Sequence, residues 1–120
     1  MNEKLGSGGG DRGNTSQRPA AYVISAIEGI VDEATVRRYA ELAGPAIEHF
    51  GGRFIASNAE TVVVEGESPL AYLSMVEFPT IERAQAWYDS PENAEARAIT
   101  PAAFNGRVLM FVKGVKAEEA

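Results

Sequence analysis

"GRVLMFVKG", residues 106–114, carries apolar residues on both phases of a strand: Val108, Met110 and Val112 alternate with Leu109 and Phe111. Successive side chains of a strand point to opposite faces, so a strand with one face in water alternates apolar with polar residues. This one reads as a strand covered on both faces. The same doubling marks "AYVISAI", residues 21–27, where Tyr22, Ile24 and Ala26 alternate with Val23 and Ile27. These two runs bracket everything periodic in the chain.

Working inward, "DEATVRRYAELAGPAIEHF", residues 32–50, places Val36, Tyr39, Ala40, Ala43, Ile47 and Phe50 at spacings of three and four. That spacing predicts a helix, with Asp32 as its cap. Pro45 removes a backbone donor inside it and, with Gly44, is expected to kink or restart it. "GRFIAS" (52–57) and "TVVVEG" (61–66) read as one interrupted strand or two short ones, with Ser57, Asn58 and Ala59 at the bend. "PLAYLSMVEF" (69–78) is the next strand, joined through a turn at Gly66 to Pro69 as an antiparallel hairpin. Thr80 opens a helix over "IERAQAWYD" (81–89), and Ser90 with Pro91 starts a further helical segment that Pro101 is expected to stop.

The order β-α-β-β-α-β predicts an α+β, ferredoxin-like fold, an antiparallel sheet with its helices on one face. The doubly apolar strands then need cover on the other face, and a second copy of the chain is the simplest cover. The expected assembly is a homodimer with two sheets face to face, a dimeric α/β barrel. Residues 21–115 make this single domain. Residues 1–20 read as a flexible leader with too little apolar surface to offset its ordering entropy, and 116–120 as a polar tail. The "GSGGG" of the leader lacks a preceding strand and a following G-K-[ST], so it reads as linker.

The bulk chemistry excludes several functions. A net charge of −6 and a pI near 4.8 leave no basic footprint for nucleic acid. With no cysteine there is no disulfide, thiolate nucleophile or cysteine-ligated metal. The "DSPE" of residues 89–92 offers one Asp and one Glu with no histidine beside them in sequence, a poor metal site, and no cofactor motif is present. No apolar run approaches the roughly 20 residues that span a bilayer, and no signal peptide is evident. A cytoplasmic protein without membrane partners is expected.

"YVISAIEGIVDEATVRRYAELAGPAIEHFGGRFIA" (22–56), "VVVEG" (62–66) and "VEFPTIERAQAWYDSPEN" (76–93) resemble the family of domain of unknown function 1330. The resemblance covers Ala21 to Val115. Its most specific features are the paired glycines before an arginine, the Glu-Gly after the valines, the Glu-Phe-Pro, and the Ala-Trp-Tyr-x-Ser-Pro-Glu. It implies a dimeric α/β barrel and no defined activity. Two positions depart from the family pattern: Asn93 stands where members usually carry Tyr, and Thr100 where an Arg is common.

Five residues form the expected ligand-binding set: Arg53, Tyr39, His49, Glu65 and Trp87. No catalytic residue is assigned. His49, the lone histidine, is of the residue type most used as a general base, but helical phase puts it about 220° from Val36, away from the sheet. Its simpler reading is a surface residue at the helix's negative end. Gly51 and Gly52 read as a helix stop and a strand entry. Arg53 offers a fork for a carboxylate or phosphate, or pairs with Glu77 or Glu65. Tyr39 reads as core or pocket, and Trp87 and Tyr88, about 100° apart on a helix, as one core and one edge residue. The expected function is binding of a small organic, possibly anionic molecule. The alternative is a cofactor-independent enzyme, an isomerase, cyclase or monooxygenase on a small organic acid or aromatic, with Arg53 converging in an enclosed cavity on Tyr39, His49 or a perturbed carboxylate.

Overall fold

In the computed structural model residues 19–115 are described, so the expected leader and tail lie almost wholly outside the described residues. The chain runs through β1 (Ala21–Ile27), β2 (Gly29–Ile30), α1 (Glu33–His49), β3 (Arg53–Glu60), β4 (Tyr72–Phe78), α2 (Ile81–Asp89), a 3-10 turn (Pro91–Asn93), α3 (Ala94–Ala103), β5 (Phe104–Asn105) and β6 (Val108–Lys113). Strands β3, β4, β1 and β6 form one antiparallel sheet in that order, and β2 pairs with β5 in a small second sheet. The fold is α+β, with an order consistent with the ferredoxin-like arrangement.

Register fixes which side chains meet the helices. Val23 lies opposite Val76 on β4 and Phe111 on β6, and Ala21 lies opposite Phe78. Val23, Val76, Phe78 and Phe111 pack with Ala43, Ala46 and Ile47 of α1, Ala84 and Trp87 of α2, and Ala96 of α3. A smaller cluster of Ile27, Ala103 and Phe104 closes the end where β2 meets β5. On the other phase, Val108, Met110 and Val112 are exposed and Ile24 and Met75 are half-buried. Among the described residues no helix covers them.

The helix ends follow the capping residues. Asp32 accepts from the Thr35 amide at 2.9 Å and its hydroxyl at 2.6 Å, and these bonds hold its carboxyl below the ordinary aspartate value. Thr80 and Ser90 cap in the same way, accepting from Arg83 N and Asn93 N at 3.2 Å. At the C-terminus of α1, Gly51 takes φ +88 and donates to Glu48 O, while Gly52 donates to Ile47 O. That is the left-handed glycine cap with its two reciprocal bonds.

Three expectations need correction. α1 does not restart at Pro45 but runs through it as one helix, because Pro45 faces solvent and the bond it forfeits is to the carbonyl of Glu41, itself an exposed residue. Pro101 does not stop α3, which runs to Ala103; the proline sits in its last turn, and burial of Ala103 and Phe104 carries the chain onward. Val62, Val63 and Val64 are not strand. The β3–β4 pairing closes where Thr61 N donates to Ala71 O at 3.1 Å, and the three valines lie beyond it, exposed.

Gly52 is fixed by packing as well as by its turn, since a Cβ there would stand 2.7 Å from Phe78 Cε1 and 2.8 Å from Ile47 Cγ2. Gly52→Ala is expected to lower the unfolding free energy by about 1–3 kcal/mol through overpacking. Urea denaturation checks this, and an unchanged midpoint would contradict the close approach.

Candidate functional site

Between α1 and the helix-facing side of the sheet lies a cavity of about 160 Å³. Its α1 wall is Val36, Tyr39, Ala40, Ala43, Gly44 and Ile47, one face of the helix at spacings of three and four. Four of those six carry at most a methyl group or a branched chain shorter than leucine. The sheet below cannot rise to fill the gap they leave, so the space is a consequence of small residues on the packing face. Trp87 and Phe104 add aromatic surface to the walls.

The floor carries an unusual feature for a helix-facing sheet, a band of polar side chains crossing it. Asn58 N donates to Ser74 Oγ at 2.8 Å, and Ser74 Oγ donates to Asn58 Oδ1 at 3.4 Å. Ser74 lies opposite Ser25 in the β1–β4 register. Ser25 Oγ accepts from Arg107 Nε at 3.0 Å. All four residues line the cavity. Register shifts between Phe54 and Ala56, and between Ala56 and Ala59, bring the β3 end of this band inward. A strict two-residue period from Phe54 would turn Ser57 to the opposite face, whereas here Phe54, Ser57 and Asn58 all reach the cavity. Asn58 adopts φ +44, a left-handed conformation that asparagine tolerates better than most residues.

Arg107 anchors the far end. Its Nη1 donates to Thr100 Oγ1 and its Nη2 to Tyr39 OH, each at 3.0 Å, and the guanidinium lies 5.2 Å from the Tyr39 ring centroid and 5.5 Å from that of Phe104. Among the described residues no carboxylate lies within ion-pair distance of it. Arg38 and Arg53, both more exposed, have Glu41, Glu95 and Glu77.

The expected site residues separate. Tyr39 and Trp87 line the cavity. Arg53 does not: it is 69% exposed and pairs with Glu77 across β3 and β4, Nη2 to Oε1 at 2.8 Å. His49 closes α1 with its Nδ1 3.8 Å from Glu92 Oε2, 64% exposed, on the solvent side that helical phase indicates. Glu65 is exposed in the connection between β3 and β4. Arg53 does not converge with Tyr39 or His49, and the carboxylate it does meet, that of Glu77, does not line the cavity. No Asp, Glu or His lines the cavity.

Sequence reasoning missed Arg107, Ser25 and Ser74. Extending the phase of Leu109 and Phe111 back by two residues would have turned Arg107 toward the helices, and Ser25 and Ser74 interrupt the same phase of β1 and β4. A polar residue on the buried phase of a strand was the available signal.

The sequence model of the family described as a domain of unknown function, DUF1330, matches residues 20–115. The chain belongs to that family. No curated protein matches it. Among solved structures, this DUF1330 domain is similar to a protein of unknown function from Rhodopseudomonas palustris, with a TM-score of 0.68 at 13% identity over 92% of this chain and 96% of that one. The methylated form of that protein gives the same score and identity over 98% of each chain. An ethyl tert-butyl ether (EthD) family protein from Bacillus halodurans scores 0.52 at 13% identity, covering 80% of this chain and 99% of that one. At such identity these likenesses concern the fold alone.

Asn93 and Thr100, the two positions expected to depart from the family pattern, take different places. Thr100 belongs to the Arg107 network, accepting from the guanidinium and donating to Ala96 O at 3.0 Å. Asn93 is buried at the end of the 3-10 turn, where its Nδ2 donates to Tyr88 O at 3.3 Å and its Oδ1 has no hydrogen-bond partner among the described residues. It does not line the cavity. Trp87 Nε1 is also buried without a protein partner.

Because His49 is exposed and its contact with Glu92 is long, His49→Ala is expected to change stability by less than about 0.5 kcal/mol in chemical denaturation. A loss well beyond that would show the histidine to be part of a structural or binding network.

Proposed function

We propose that this DUF1330 domain is a cytoplasmic homodimer, a dimeric α/β barrel, that binds a small organic molecule in the cavity between α1 and the sheet. The observation that carries the binding reading is the cavity itself, mostly apolar, with a few polar groups gathered on its floor. That combination is the usual form of a small-molecule site, where apolar walls supply affinity and a few fixed polar atoms supply orientation. Ala40 is exposed and also lines the space, which places it at the opening.

Dimerisation is supported by the uncovered phase of the sheet. Met110 is 44% exposed in the company of Val108 and Val112, and Ile24 and Met75 continue the apolar surface across β1 and β4. Contiguous apolar surface of this kind marks an interface, and a two-fold partner presents a matching one. The enzyme alternative rests on Tyr39 alone among the usual proton-transfer groups, since among the described residues the lining carries no carboxylate or imidazole.

Light scattering after size exclusion is expected to give the dimer mass for the wild type and the monomer mass for Met110→Lys. A well-folded wild-type monomer would overturn the assembly. For the cavity, a thermal-shift screen of small aromatic and branched aliphatic compounds is expected to find ligands that stabilise the wild type; saturation at about 100 times Kd contributes about 2.7 kcal/mol. Ala40→Phe, which obstructs the opening, is expected to abolish the shift while keeping the fold. An undiminished shift in that variant would place binding elsewhere.

A further inference from the structure

Arg107 is the charged group of the cavity, and its surroundings hold the guanidinium in place without neutralising it. It is half-buried, and its three hydrogen-bond partners, Ser25, Thr100 and Tyr39, are all neutral hydroxyls. A guanidinium stays protonated in proteins, so partial burial cannot be relieved by losing the charge. The chain has 17 acidic residues against 11 basic ones, yet among the described residues none is placed to neutralise this arginine. We infer that the cavity ligand is a small monocarboxylate with an apolar body, its carboxylate held by Arg107. The inference deepens the proposed binding function and rests on it.

Donor arithmetic supports an anion. A guanidinium has five N–H donors, of which Ser25, Thr100 and Tyr39 engage one each, leaving two. The Thr100 hydroxyl spends its own hydrogen on Ala96 O. Those of Ser25 and Tyr39 have no acceptor within hydrogen-bond distance among the described residues, so both remain to donate. An oxyanion at this end would meet charge-assisted N–H bonds together with hydroxyl donors. The hydroxyls also hold the guanidinium from three sides, which limits the side-chain entropy lost on binding.

The rest of the cavity sets the body of the ligand. Val36, Ala43, Ile47, Val76, Trp87 and Leu109 present apolar surface. The volume of about 160 Å³ is close to that of an engineered apolar cavity, about 150 Å³, that admits benzene. An aromatic ring or a branched chain of similar size fits, with one ionised group. Phosphate fits less well, since the lining provides one cation and a dianion in an apolar site needs further charge or many more donors.

The test uses the full chain, with benzoate and cyclohexanecarboxylate as probes, the isosteric neutral benzamide and cyclohexanecarboxamide as controls, and inorganic phosphate as a separate arm. Calorimetric titration is expected to show at least one carboxylate binding at least about tenfold more tightly than its amide. Its affinity should fall as pH drops through the acid's own pKa. Arg107→Met is expected to abolish the preference for acid over amide, and Arg107→Lys, which keeps charge without the fork, to retain part of it. The acid–amide comparison on the wild type stands even if Arg107→Met fails to fold.

Equal binding of acid and amide, unchanged in Arg107→Lys, would overturn the carboxylate inference and leave the apolar cavity reading intact. Binding of phosphate in preference to both carboxylates would overturn the inference in favour of a different anion. If no probe of either series bound at millimolar concentration, the carboxylate inference would fail for ligands of this size, and the Ala40→Phe screen would decide the cavity reading separately.

Discussion

Strand β1 is bonded on both sides, to β4 and to β6, and this double pairing fixes the phase of every side chain that matters in the molecule. A slip of one residue in either pairing would exchange the two faces of a strand. In the observed register Ala21, Val23 and Ser25 look toward the helices, as do Val76 and Phe78 of β4 and Leu109 and Phe111 of β6. Ala21, Phe78 and Phe111 are core only, Ser25 is cavity floor only, and Val23, Val76 and Leu109 serve as both. The remaining phase, with Ile24, Met75 and Met110, is left as an apolar surface without a helix over it. Core, site and open face therefore follow from one alignment, and a change in register would disrupt all three together.

Side-chain size then decides where the helices touch the sheet. Toward the α2 end, Phe78 and Trp87 meet with ring centroids 5.6 Å apart, and Ile47 and Ala46 pack beside them. Toward the other end, Phe104 meets Tyr39 edge to face at 5.3 Å. Between these aromatic supports α1 presents Ala40, Ala43 and Gly44. Small residues between large ones leave a space the helix cannot close without crushing its own supports, because packed interiors deform little. The polar floor has a related origin. Ser25 and Ser74, opposite each other in mid-sheet, would be poor choices for a core that filled completely, since each buried hydroxyl needs a partner. Here Asn58 and Arg107 supply those partners.

Local chemistry was the legible part of the sequence. β1 has the bounds its apolar run predicts, and Asp32, Thr80 and Ser90 cap as their positions indicate, because each depends on residues within three or four places. The glycine pair ended α1 for the reason given, although the steric pressure of Phe78 on Gly52 required knowing that β4 lies against the helix C-terminus. Val62 to Val64 misled because β-branched residues favour a strand only where a partner strand exists, and the hairpin closes before reaching them. The prolines misled in the opposite sense: an exposed proline costs a bond that water can replace, and tertiary burial outweighed it. The site was the least legible. Its four polar members come from β1, β3, β4 and the entry to β6, and only a register known to the residue brings Ser25, Asn58, Ser74 and Arg107 into one band. Tyr39 and Trp87 were reachable from helical phase alone. Arg53 attracted attention by its charge, but the same alternation that turns Phe54 inward turns Arg53 outward toward Glu77.

The charge of the chain bears on how an anion would reach Arg107 under the proposed reading. A net charge of −6 gives a mean field that opposes an approaching carboxylate, with a reach of about 30 Å at 10 mM ionic strength and about 8 Å at physiological strength. The guanidinium acts at contact distance within apolar walls, where salt screens much less. Added salt therefore shortens the repulsion more than it weakens the contact. Entry should quicken between those two ionic strengths while release changes little. An anion seated instead on an exposed arginine such as Arg38 would lack the sheltered contact, and salt would weaken it as it weakens any surface pair. The sign of the salt effect on affinity thus separates a cavity site from a surface one, and a cation inside an acidic protein would select ligands that bring enough apolar surface to make entry worthwhile.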